Sequence, residues 1–488
     1  MTLPSEKRLR PLVLFAMAHA GFFRHFQNVI TVLCAKGIDV HVCCTKDHQT
    51  IAVENYDLDI QGPGQLSFEI IENSGQFQRR AELVRLIRDI IHYSRPEYLG
   101  APDLQRRFLN SQKFGRKKYR AYARVTLALL RRFFRFMPRT VGQWVDQKLL
   151  HPIDQKIEPN PVAKELISRV RPDLVVVTPL VDFGSREVDI VKAAQRQAIR
   201  TILAVASWDN LSNKGLIKVN VDGVIVWNET LAREAIELQG IDSSKVAITG
   251  ASLFDAWFTR VPSCDYETFC EMLNLDRSKA LIVYLCSSSS IGGGRREIKT
   301  VKKWVRTIRG SSDAAVAESN ILIRPYPMVL AEWQQELWSD RLETGHLDLA
   351  TVVWPLNAKH PGSNESAAVF FDTLYHATAV VGLNTSAMIE AAILDKPVLT
   401  FLSHDAARSQ QGNLHFRHLA ESGFLHQAAD LEAHVSALSR VLAYPQQSAD
   451  DCRKFIADFV RPLGRDTMVA PLVAERIIKA LKISAPRP

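Results

Sequence analysis

The 488-residue chain has no run of about 18 consecutive apolar residues, the length a helix needs to cross a bilayer. A membrane-spanning helix is therefore not expected. Low-complexity tracts are missing too. With 47% hydrophobic and 23% charged residues, the composition is that of a folded protein rather than a disordered one. No Cys-x-x-Cys pair occurs. The seven cysteines are Cys34, Cys43, Cys44, Cys264, Cys270, Cys286 and Cys452. They are odd in number and several fall inside apolar, strand-like runs, so they read as reduced, mostly buried thiols, and no zinc site is expected. The charged segment from Met1 to Arg10 precedes a short apolar run, interrupted by His19 and Arg24, that lacks a cleavage site. No secretory signal is expected from it, which places the protein in the cytoplasm.

A chain of this length exceeds what one hydrophobic core supports, so two domains are expected. The net charge of +9 is unevenly spread: from Arg79 to Lys156 there are 19 Lys and Arg against 6 Asp and Glu. Such a block calls for a local anionic partner, phospholipid or nucleic acid. No nucleic-acid module is recognisable in the chain. Within the block, Leu127 to Phe136 interleaves Arg131, Arg132 and Arg135 with aliphatic and aromatic residues. Two readings stay open: a segment lying in a lipid headgroup layer on the inner face of the membrane, or a helix packed on its own domain with an arginine-rich outer face.

Leu12 to Met17, a helical pattern from Phe22 to Lys36 and Ile38 to Cys44 form a βαβ unit that opens a parallel sheet. Leu174–Thr178, Thr201–Val205, Val221–Trp227 and Val246–Thr249 are later strands, continuous apolar runs of the kind covered on both faces. The basic stretch of about 78–160 interrupts them and reads as a helical hairpin projecting from the first domain. A proline-led, strand-free stretch from Val261 to Ser278 reads as a linker. Five more strand-like runs follow, at Ala280–Cys286, Asn320–Ile323, Thr351–Trp354, Ala379–Gly382 and Pro397–Phe401. The expected fold is α/β, with two Rossmann-like domains facing across a cleft. The first, acceptor-side domain covers 1–260 and carries the basic helical insertion; the second, donor-binding domain covers 261–465; a helix at 466–488 crosses back to the first.

The sharpest chemical pattern lies after Ala379–Gly382. Leu383 to Ser386 reads as a turn with helix-capping residues, and Ala387 to Leu394 as a helix whose start suits a phosphate. Thr385, Ser386 and Glu390 have an equally ordinary reading as caps and a dipole-complementing carboxylate. Arg324, at a strand end, can neutralise a phosphate. After the first strand of the second domain, the run from Ser287 to Arg296 offers Ser288, Gly292, Gly293 and Arg295 to an anion, or is merely a flexible loop. It lacks the Gly-Lys-Ser/Thr ending of a Walker loop.

The segment Ile389-Glu390-Ala391-Ala392-Ile393-Leu394-Asp395-Lys396-Pro397-Val398 resembles the glutamate-containing donor-site segment of GT-B glycosyltransferases, in particular bacterial enzymes of surface and capsular polysaccharide biosynthesis. The resemblance implies that Glu390 holds the donor ribose, with Thr385 and Ser386 beside the donor phosphates. Asp395 stands where many members have glycine. Ile323-Arg324-Pro325-Tyr326-Pro327 is similar to the family's Arg-Pro-His-Pro element, with Tyr326 in place of the histidine, and Thr249 to Asp255 looks like the segment that closes the first domain.

In the first domain, His19 follows the first strand at the edge where such sheets bind ligands and is the first candidate for a general base; Asp182 is the second. His25, Trp208, Asp209 and Asn210 are acceptor-side candidates, with capping as the ordinary alternative for the last segment. The expected function is transfer of a sugar from a nucleotide-sugar donor to a surface-glycan or lipid-linked acceptor. The alternatives are a sugar epimerase or polyol-phosphate transferase on the same fold, or a non-catalytic binding protein. No Asp-x-Asp donor-metal motif stands out in the second domain, so neither a metal nor a cofactor is expected besides the nucleotide-sugar co-substrate.

Overall fold

Leu12–Met17 (β1) is apolar at every position and buried at all six, as a parallel strand covered on both faces must be. The computed structural model describes residues 9–46, 60–71, 79–99, 101, 102, 104, 129, 132–136, 138–181, 184–288, 295–336, 344–347, 350–353, 363–403 and 410–483. Contacts divide the chain into two units, the first made of Met1–Val53, Leu58–Leu253 and Thr467–Pro488, the second of Glu54–Asp57 and Phe254–Asp466.

In the first unit β1 is joined by Asp39–Cys44 (β2), Leu66–Ile70 (β3), Leu174–Thr178 (β4), Arg200–Ala204 (β5), Gly223–Val226 (β6) and Val246–Ile248 (β7). The order is β3-β2-β1-β4-β5-β6-β7, parallel throughout. The strand order reverses at β1, so the crevice for a ligand opens between the carboxyl ends of β1 and β4. The helix Val469–Ile483 belongs to this unit and packs its buried Val473, Ala474 and Ile477 side against the helix Phe23–Ala35.

The second unit contains Leu281–Leu285 (β8), Asn320–Arg324 (β9), Thr344–Leu347 (β10), Ala350–Val353 (β11), Ala379–Gly382 (β12), Val398–Phe401 (β13) and Leu425–Ala428 (β14). Their order is β10-β11-β9-β8-β12-β13-β14; only β10 runs antiparallel. Here the reversal falls at β8, between the carboxyl ends of β8 and β12. Two doubly wound α/β units are the fold expected from the sequence. Strands β3, β10 and β14 were not foreseen. β3 and β10 close a sheet edge, and β14 holds polar His426 and Gln427, so none of the three reads as a continuous apolar run.

Two expectations are corrected. The stretch read as a linker, 261–278, contains the helix Tyr266–Leu273, started by Asp265, whose carboxylate accepts the Thr268 N–H at 2.9 Å. The helix Arg79–Tyr93 of the basic insertion does not project; it is docked by buried charge. Arg85 and Arg88, on the helix Arg79–Tyr93, reach Asp154 at 3.0 and 3.2 Å, and Asp154 is fully buried. Arg85 also pairs with Asp189 at 3.0 Å, Arg88 with Asp146 at 2.7 Å, and Lys218 with Asp89 at 2.8 Å, while Lys192 stands 3.6 Å from Asp154. Four cations thus meet four carboxylates, a neutral arrangement without which such charges could not stay out of water.

Asp395 has φ +56, the left-handed region that glycine occupies without strain. Aspartate tolerates it better than most residues, and here its carboxylate is held by Arg453 at 3.1 Å and Arg465 at 3.3 Å.

Candidate functional site

In the second unit, pairing places Arg324 beside Leu285 and Leu285 beside Gly382, so the carboxyl ends of β9, β8 and β12 lie side by side. With about 5 Å between neighbouring strands, Arg324 and the turn after Gly382 start about 10 Å apart on one sheet edge. Three sequence candidates leave from this edge: Arg324 itself, Ser288, half-buried after β8, and Thr385 after β12.

Arg324 is the most unusual of them. It is 6% exposed. Its guanidinium lies 5.2 Å from the centre of the Phe370 ring, and its Nη1 has no hydrogen-bond partner among the described residues. No described carboxylate pairs with it. Burial alone pushes its pKa down to about 10, so it stays charged near neutral pH in a site that resists charge.

The turn after β12 is held from behind. Gln410 is fully buried, and its Nε2 donates to the carbonyls of Leu383 and Phe401, both at 3.0 Å, which ties the ends of β12 and β13 together. Buried Asn384 meets His415 at 3.3 Å. The sequence reads Asn384 only as part of the capping turn; for the loop carrying Gln410 and His415 two readings stand open there, a place near the donor, as the resemblance implies, or structural filler. Thr385, rather than Ser386, turns towards the helix start, accepting the Ala387 N–H at 3.4 Å, and exposed Ser386 makes no capping bond. Glu390 is half-buried in the helix Ala387–Ile393. Gly292, Gly293 and the side chain of Arg295 lie outside the described residues.

The loop after β8 is anchored by a group that the sequence did not single out. Glu297, 2% exposed on the helix Arg295–Arg309, accepts the Ser287 N–H with both carboxylate oxygens, at 2.9 and 2.8 Å. Burial lifts its pKa from the ordinary 4.5 to about 7, against the smaller opposing effect of those hydrogen bonds. A carboxyl with a raised folded-state pKa stabilises fully below 4.5, and that contribution is lost as pH climbs to about 7. Stability of the second unit is therefore expected to fall between these pH values, and Glu297→Gln to flatten that slope in denaturant titrations. An unchanged slope would remove Glu297 as its source.

In the first unit, His19 follows β1 at the reversal point. Its Nδ1 accepts the Gly21 N–H at 3.1 Å. The neutral ring held this way carries its proton on Nε2, so that nitrogen donates. His19 can act as a base at Nε2 only after releasing the Gly21 amide. Asp182 and its neighbour Phe183 lie outside the described residues. His25 is buried, and burial holds its pKa well below the usual histidine value. Asp209 and Lys214 act electrostatically on His25, which brings these loops to one edge, with Lys214 Nζ 5.6 Å from the Phe22 ring. Lys214 had carried no sequence signal. Trp208 and Asn210 are buried, and Asn210 accepts the Ser207 N–H at 3.1 Å. Both support this loop from the inside, while Asp209 keeps partial exposure.

All seven cysteines are free thiols, six of them buried. Among the described residues no cluster of His, Cys, Asp and Glu is arranged to hold a metal ion, and no helix is long and apolar enough to cross a membrane.

No protein-family model matches the chain, and no curated protein matches it in sequence. Solved structures do share its fold. The UDP-GlcNAc 2-epimerase of Neisseria meningitidis bound to UDP-GlcNAc has 13% identity over 96% of this chain and 100% of its own, with a TM-score of 0.52. The S. aureus MnaA–UDP co-structure has 13% identity over 98% and 99%, TM-score 0.53. A glycosyltransferase from Rickettsia africae has 10% identity over 97% and 100%, TM-score 0.51. At these identities the likeness is one of fold: the chain has the two-unit α/β architecture of GT-B proteins.

Proposed function

We propose that the second unit binds a nucleotide-sugar at the carboxyl ends of β8, β9 and β12, and that the chain transfers the sugar to a glycan or lipid-linked acceptor. The observation that carries the proposal is Arg324, a buried guanidinium with no carboxylate partner among the described residues, at the carboxyl end of β9, next to β8 where the strand order of a doubly wound sheet reverses. A diphosphate is the anion whose planar oxygen pairs suit it. As the bond to the sugar breaks, negative charge grows on the leaving diphosphate, and a guanidinium already fixed and desolvated stabilises that charge without reorganising. Thr385 and Ser386 take the phosphate side of the same turn, and Glu390 takes the ribose hydroxyls. On the acceptor side, His19 stands at the first unit's reversal point, where Nε2 can donate to a substrate oxygen in the resting ring and accept a proton once the Gly21 amide is released.

Epimerisation of the same donor is the second reading, favoured by the fold shared with epimerase structures that hold UDP-GlcNAc or UDP. The two differ in their need for an acceptor. Incubation with a panel of UDP-, GDP-, CDP- and CMP-sugars, with and without a lipid-linked glycan, separates them. Acceptor-dependent nucleotide release supports transfer, an isomerised sugar without acceptor supports epimerisation, and neither with any donor overturns both.

Loss of a charge-assisted pair of ribose hydrogen bonds is worth about 1.5–3 kcal/mol, so Glu390→Ala is expected to raise the donor KM by about tenfold or more. An unaltered donor KM would take Glu390 out of the site.

A further inference from the structure

Residues 129 and 132–136 are helical. At helical spacing Leu129, Phe133 and Phe136 share one narrow face, being four and seven residues apart. That face points outward: the three are 63%, 61% and 75% exposed, whereas Phe134, on the opposite side, is half-buried. Arg132 flanks the face and is exposed, with its guanidinium 6.0 Å from the Phe136 ring centre; Arg135 is exposed farther round the helix. Farther along, Trp144 is exposed as well. Seven of the nineteen exposed large apolar side chains among the described residues fall between Leu129 and Ile153, so this stretch of the sequence is rich in them.

We infer that this face docks on an anionic phospholipid surface, with Leu129, Phe133 and Phe136 entering the acyl boundary and Arg132 and Arg135 on lipid phosphates. Charge selects the partner: the surrounding segment has 19 Lys and Arg against 6 Asp and Glu, which an anionic leaflet complements. The apolar stripe selects lipid over nucleic acid, because a phosphate backbone has no use for an exposed leucine and two phenylalanines, while a headgroup layer takes both parts of such a helix. Arg131 belongs to the same run in sequence but lies outside the described residues. The inference is independent of the nucleotide site and survives or fails separately from it.

The test is co-sedimentation of the full chain with vesicles of phosphatidylcholine alone and of phosphatidylcholine with phosphatidylglycerol. The wild type is expected in the pellet only with the anionic vesicles. Arg132→Ala with Arg135→Ala should lower partitioning by about 30-fold, the loss expected for two surface arginines. Phe133→Ser with Phe136→Ser should also release the protein, with charge unchanged, which simple electrostatic adsorption would not predict. These side chains are exposed, so far-UV circular dichroism of the variants should match the wild type. Equal partitioning on the two vesicle types, wild-type binding by either pair of variants, or binding to a DNA duplex in place of vesicles would each overturn the inference.

Discussion

Arg324→Met is expected to raise the unfolding midpoint of the second unit while lowering nucleotide affinity by about 10- to 100-fold. The two signs come from one cause. Arg324 is buried, its Nη1 lacks a partner among the described residues, and burial depresses its pKa to about 10, so the resting fold holds a desolvated cation. An apolar side chain of similar length removes that penalty, and such replacements are commonly stabilising by about 1–4 kcal/mol. A bound diphosphate removes it differently, by supplying the anion, and the charge-assisted hydrogen bonds so formed are worth about 1.5–3 kcal/mol. Isothermal titration with UDP and GDP reads the affinity, and urea unfolding reads the stability. A variant that loses stability and keeps its affinity would show Arg324 to be a structural cation, and the nucleotide site would have to be sought elsewhere. An ordinary salt bridge cannot give the expected combination, since breaking one destabilises.

Asp154→Ala is expected to destabilise the first unit by about 3–5 kcal/mol, the range for removing one member of a buried ion network. The side chain is fully buried and meets Arg85 at 3.0 Å, Arg88 at 3.2 Å and Lys192 at 3.6 Å. Without it, three cations share what Asp146 and Asp189 can still accept. Asp154→Asn keeps an acceptor oxygen but not the charge, and should fall between the wild type and alanine. Hydrogen exchange in Arg79–Tyr93 and Glu187–Arg196 gives the local readout, because Asp154 bridges the cations of these two helices. Unaltered protection in both would mean that the inserted helix is held by its apolar side, Leu86, Ile90 and Ile91, and not by charge.

The network also shows where sequence reading stops. Arg85 and Arg88 look like part of a solvated basic face, since their partners lie 69 and 66 residues away along the chain, with Asp189 104 residues from Arg85. Hydropathy registers a charge but not whether an opposite charge awaits it, so the helix Arg79–Tyr93 was assigned to a projecting hairpin. For His19 the limit is smaller: its place after β1 is legible, but the tautomer depends on a Gly21 N–H that only the backbone conformation aims at Nδ1. That Trp208 is buried was not legible, because a loop has no periodicity from which to tell inside from outside.

What the amino-acid order determined by itself is the plan: apolar runs such as Leu12–Met17 and Leu281–Leu285 must be covered on both faces, and alternating them with amphipathic helices leaves a doubly wound parallel sheet as the arrangement that buries them all. The same alternation put Arg324, Thr385 and His19 at strand ends. Only the tertiary structure decided which charges lose their water and which find partners. Desolvation and ion pairing depend on atoms brought together from distant positions, and so Arg324 emerged as a buried cation and Asp154 as the centre of a neutral cluster, though neither property is written in its neighbours along the chain.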